Sequence, residues 1–107
     1  MPGAKAHVGF HPSHSVYALS FAGSLTQNLA KVKCPQLYLV AAGDQVKPGD
    51  ASETTVRDVA KQPVTVHLYA KQRHGWVNRG DVSKPEVLED VEKALTEGCD
   101  FLKKYLL

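Results

Sequence analysis

The chain has 107 residues, a length for one domain at most. Hydrophobic residues make up 43% and charged residues 22%, ordinary globular values that exclude wholesale disorder. The 13 basic and 11 acidic residues give a net charge of +2 and are interspersed, so no basic run marks nucleic acid as a partner. A chain this short buries only roughly 60–65% of its unfolded surface, and modest stability is expected. Cys34 and Cys99 lie far apart, without a CxxC neighbour, and read as reduced thiols of an intracellular protein. The longest apolar stretch, Gln36 to Gly43, is too short to span a bilayer, and Met1-Pro2-Gly3-Ala4-Lys5 lacks the apolar core of a secretion signal. Cytoplasm is the expected location.

In chain order, Ala6-His7-Val8-Gly9-Phe10 is a short β-prone run stopped by a turn at His11-Pro12-Ser13. From Ser15 to Lys33, Val16, Leu19, Leu25 and Leu29 give partial helical spacing that Gly23 interrupts, so a loop with one or two helical turns is expected. The segment from Gln36 to Ala42 is nearly all apolar, as in a strand buried on both faces of a parallel sheet. Asp50 and Glu53 open a helix expected to run to about Lys61, and Pro63 follows its end. Residues Val64 to Tyr69 alternate β-branched and aromatic types, the pattern of a third strand. Lys71 to Lys84 reads as a loop.

Ser83-Lys84-Pro85-Glu86 then reads as a capping box opening the last helix. In that helix Val87, Leu88, Val91, Ala94, Leu95, Leu102, Tyr105 and Leu106 recur at helical spacing. Gly98 weakens its middle by about 1 kcal/mol relative to alanine. Strands alternating with helices predict an α/β fold with a parallel sheet and right-handed crossovers. No internal repeats are visible.

Ligands of open parallel sheets bind beyond the carboxyl ends of the strands. Two polar residues fall there. Asp44 follows the second strand, and His74 lies a few residues past the third. An aspartate accepting a hydrogen bond from one imidazole nitrogen would fix the tautomer and leave the other nitrogen as a general base. Asp before His is the chain order of the last two members of an α/β-hydrolase triad. The plainer alternatives are a turn-forming aspartate and an ordinary loop histidine.

The segment His74-Gly75-Trp76-Val77-Asn78-Arg79 resembles the histidine loop of dienelactone hydrolases, in which HGF and a nearby arginine recur; Trp76 stands where phenylalanine is usual. Gly80-Asp81-Val82-Ser83-Lys84-Pro85 is similar to an RGD-x-S-x-P stretch of eukaryotic members. Val32 to Leu37 resembles the lead into the penultimate strand, Asp44 with Pro48 the D-x-x-x-P after it, and Phe10-His11-Pro12-Ser13 an FHPS turn. The resemblance runs from about His7 to Leu106. It implies that residues 1–107 are the C-terminal portion of an α/β-hydrolase, with three parallel strands and flanking helices.

The resemblance further implies a Cys–Asp–His triad hydrolysing small esters or lactones, with His74 as base and Asp44 as acid and no cofactor or metal. Arg79 and Trp76 would line the substrate pocket. Dienelactone substrates bear a carboxylate, which Arg79 could hold; it could equally pair with a protein carboxylate or be a solvated loop charge. Trp76 is expected to pack under the loop with partial exposure to the pocket.

The family's nucleophile sits in a G-x-C-x-G elbow, and the chain departs from the pattern here. Cys34 precedes proline without flanking glycines, and Cys99 falls in the last helix. Ser24 has Ala22 and Thr26 where the elbow needs glycine. The isolated chain is therefore expected to be inactive, with its nucleophile-bearing half missing. Its first strand would carry an unpaired edge, inviting self-association. Other readings are a non-catalytic α/β binding module, a split enzyme completed by a partner chain, and a truncated remnant.

The remaining candidates carry bland readings. His7, His11 and His14 read as scattered histidines rather than metal ligands, because the strand and turn throw them in different directions. His67 reads as a hydrogen-bonded structural histidine. Arg79-Gly80-Asp81 spells an integrin tripeptide by coincidence, and Lys103-Lys104 complements the helix dipole.

Overall fold

A computed structural model describes residues 4–11, 31–44, 48–49 and 51–106. The elements are β1 (His7–Phe10), β2 (Gln36–Ala41), α1 (Ala51–Asp58), β3 (Val64–Tyr69), α2 (Trp76–Arg79) and α3 (Pro85–Leu106). The strands form a three-stranded sheet in the order β1-β2-β3, both pairs parallel. His7, Gln36 and Val64 share one rung; Phe10, Leu39 and His67 share another; Ala41 and Tyr69 pair beyond the end of β1. The expected loop from Ser15 to Lys33 lies for the most part outside the described residues.

The apolar run of β2 is explained by its place. All six residues are buried, and alternate side chains face opposite layers. Leu37, Leu39 and Ala41 join Tyr69, Trp76, Val91 and Ala94 beneath α3, with Val8 and Phe10 packed alongside. Tyr38 and Val40 join Val56 and Val64 on the α1 side. The sheet is thus covered on both faces, as a parallel sheet requires.

Helix α1 begins where the sequence places it but ends at Asp58, short of Lys61. Glu53 reaches back to accept the Gly49 amide at 2.7 Å and also pairs with Arg57. The Gln62 amide then closes onto the Val56 carbonyl, and Lys61 turns to a φ of 58°. Helix α3 starts one residue later than the capping-box reading. The Ser83 hydroxyl and amide both donate to the Asp81 carboxylate, and Lys84 offers its carbonyl to the first helical turn. Pro85 is then the first helical residue, where its missing amide costs nothing.

Gly98 has a packing reason. A Cβ there would stand 3.1 Å from the Phe10 ring and 3.4 Å from Val8, so glycine lets α3 settle closely on β1. No helix among the described residues is long and apolar enough to cross a membrane.

Candidate acid–base site

The site is built at the carboxyl ends of all three strands. At the end of β2 the chain turns through Ala42-Gly43, and the Asp44 amide donates to the Ala41 carbonyl at 3.1 Å. The turn folds Asp44 back, so that its Oδ2 accepts the Ala41 amide at 2.9 Å. The carboxylate is buried, its side chain only 3% exposed. Its other oxygen, Oδ1, lies 2.7 Å from His74 Nδ1.

His74 arrives from the far end of β3. Gln72, 4% exposed, pins the loop: its amide donates to the Tyr69 carbonyl, and its side chain donates to the Glu86 carbonyl at 3.2 Å and to Asp90 Oδ2 at 2.8 Å, both on α3. After His74 the chain enters the single helical turn α2, a departure from the uniform loop that the sequence suggests. Four residues give too little periodicity to show in a sequence. Gly75 makes this turn feasible. Its φ is 88°, and the Arg79 guanidinium lies where a Cβ would project.

Trp76 is 3% exposed and belongs to the core beneath α3, its ring 5.2 Å from that of Tyr69. It also lines a cleft of about 570 Å³ together with His74. Arg79 lines the same cleft, together with Lys71, Arg73 and Lys84. Among the described residues no carboxylate forms an ion pair with Arg79.

One residue escaped the sequence reading. His11, read above as part of a turn and not as a metal ligand, follows β1 directly and stands against the Asp44–His74 pair. Its amide extends the ladder by donating to the Leu39 carbonyl at 2.8 Å, and its φ is 38°. Its ring stands edge to face with His74 at 5.1 Å and lies 5.6 Å from Trp76. The His11 pKa is lowered, first by burial and next by the neighbouring His74. Applying the strand-end rule to β1, as to β2 and β3, would have found it. His7 points elsewhere, against Tyr38.

Both cysteines lie away from this corner. Cys34 is buried before β2 begins, where Gln36 donates to its Sγ at 3.3 Å, at the opposite end of the strand from Asp44. Six extended residues separate the two by roughly 20 Å. Cys99 is exposed on α3. Ser24 lies outside the described residues.

A parallel α/β sheet with an aspartate and a histidine joined across adjacent strand ends defines the acid–base geometry used by hydrolytic enzymes of this architecture. The model of the dienelactone hydrolase family matches residues 1–106, and the chain belongs to that family. No curated protein and no solved structure matches it.

Proposed function

We propose that Asp44 and His74 are the acid and base of an ester- or lactone-hydrolysing site whose nucleophile is a cysteine outside these 107 residues. The observation that carries this is the 2.7 Å contact between His74 Nδ1 and a buried carboxylate already fixed by the Ala41 amide. That contact favours the Nδ1–H tautomer and leaves the basic lone pair on Nε2. Nε2 takes the thiol proton, and the thiolate adds to the carbonyl carbon. As the acyl–oxygen bond breaks, the imidazolium returns the proton to the leaving alkoxide. Water, deprotonated by the same nitrogen, then adds to the thioester carbon; the carbon–sulfur bond breaks, the acid leaves, and the imidazolium returns its proton to the thiolate. Asp44 keeps its hydrogen bond to Nδ1 throughout and steadies the imidazolium. Arg79 and its basic neighbours suit a substrate bearing a carboxylate, and Trp76 supplies an apolar wall.

The test joins the chain, by fusion or co-expression, to a family segment carrying the G-x-C-x-G elbow. A chromogenic ester should be turned over by the complemented protein and not by the chain alone. His74→Ala should then lower the rate by about 10³- to 10⁴-fold. Turnover by the chain alone that survives His74→Ala would refute the proposal.

Self-association through the outer edge of β1 belongs to the same reading, because β1 pairs only with β2 among the described strands. Sedimentation should show dimers or larger species, and a clean monomer removes this part.

A further inference from the structure

We propose that a second copy of this chain docks on the outer flank of α3, helix against helix and antiparallel. The inference is independent of the acid–base reading. It starts from how α3 divides its surface. Val91, Ala94 and Gly98 are buried against the sheet. At about 100° per residue, Glu97 lies to one side of that row, where it meets His67 and Tyr69 of β3. Gly98 faces Val8 and Phe10 of β1. Beyond Gly98, on the flank away from β3, Leu102, Leu95, Leu88, Leu106 and Cys99 share one row.

Leu88, Leu95 and Leu106 are 41%, 46% and 55% exposed, and Cys99 is exposed too. Single exposed leucines are ordinary on a protein surface, but a row of them along the length of a helix is not. The row steps by four and three through Leu88, Glu92, Leu95, Cys99, Leu102 and Leu106, the repeat of a helix that pairs with another helix.

Charge decides the occupant and its direction. Glu92 is the charged member of the row, and Lys103 lies on the same edge of it. Neither forms an ion pair among the described residues. Their neighbours are engaged within the chain: Lys93 pairs with Glu89, and Lys104 stands over the Tyr105 ring. In an antiparallel pair centred near residue 97, like edges of the two helices meet. Leu88 then faces Leu106, Leu95 faces Cys99, and Glu92 of each copy falls beside Lys103 of the other. A parallel pair would instead set Glu92 against its own copy, a like-charge contact at the seam. The flank is thus complementary to itself, as a two-fold interface requires.

Cys99 reads the contact directly, because the other thiol, Cys34, is buried. Antiparallel docking puts the two Cys99 Cα atoms roughly 8 Å apart, within reach of a short bis-maleimide. Treating the folded chain should give a covalent dimer on a denaturing gel. Leu95→Lys and Glu92→Lys, both at exposed positions, should keep a folded amide spectrum and lower the yield by about tenfold or more. Adding Lys103→Glu to Glu92→Lys should restore it. When Cys99→Ser is combined with Leu88→Cys, no dimer should form, because antiparallel copies hold those row ends roughly 27 Å apart.

A chain whose Cys99 takes the maleimide without forming a dimer overturns the proposal, and any association seen by sedimentation then belongs to the β1 edge. Undiminished yield in the folded Leu95→Lys and Glu92→Lys proteins overturns it as well. Crosslinking in the protein combining Leu88→Cys with Cys99→Ser overturns the antiparallel arrangement. None of these outcomes bears on the Asp44–His74 pair.

Discussion

Among the described residues, two imidazole–carboxylate contacts share the same length and differ in character. His74 meets Asp44 at 2.7 Å, and His67 meets Glu97 at 2.7 Å. The first lies at the strand ends, where the carboxylate is 3% exposed and a second backbone bond holds it. The second ties the flank of β3 to α3, with imidazole and carboxylate 49% and 32% exposed. There Glu97 also accepts the Tyr69 hydroxyl at 2.9 Å, which together with burial raises the Tyr69 pKa. Distance alone therefore does not tell the two pairs apart. The difference lies in what fixes the carboxylate and in where the imidazole stands relative to the strand ends.

The comparison can be broken at its foundation by Trp76→Ala. Trp76 is the core residue on which the first corner rests, and its loss should cost about 3–5 kcal/mol in urea unfolding. Val82, exposed on the approach to α3, supplies a control whose truncation should change little. Asp44→Ala removes a buried carboxylate with two partners and should cost about 2–3 kcal/mol. Glu97→Ala, on the exposed pair, should cost less than about 1 kcal/mol. Equal costs at Asp44 and Glu97 would erase the distinction drawn here.

Gly75→Ala sits between these extremes. A left-handed φ and the overlying Arg79 guanidinium should together cost about 1–2 kcal/mol and shift the His74 resonances, and unchanged spectra would count against the tight turn.

The smallest effect concerns pH. The His11 pKa is lowered in the folded chain, so the unfolded chain binds the extra proton first as pH falls. Stability should therefore be full above the ordinary histidine range and decline as pH drops below about 6.5 toward the folded value. His11→Phe should lack this component of the decline. Identical pH dependence of the melting temperature in both proteins would show that His11 is not what titrates.

Much of this corner was legible before any coordinates. The β2 run announced a strand covered on both sides, and β3 from Val64 to Tyr69 stands where the alternation of its side chains places it. Asp44 and His74 could be named because strand ends can be located by pattern. Gln72, His11 and the turn α2 could not. Gln72 matters through Glu86 and Asp90, fourteen and eighteen residues away, and no local spacing records that contact. The His11 ring meets, across the sheet, that of a residue 63 positions later. The capping-box reading of Ser83 failed because Asp81, two residues earlier, captures the serine hydroxyl.

The sequence by itself determined the alternation of strand and helix, the buried middle strand and the residue types able to hold and move a proton. Hydrophobic period and turn chemistry are local properties written along the chain. Only the tertiary structure decided which histidine faces which carboxylate, how deeply each pair is buried and which ring stands against His74. Those depend on strand register and on the crossing of α3 over the sheet, and they follow from packing between segments distant in the chain.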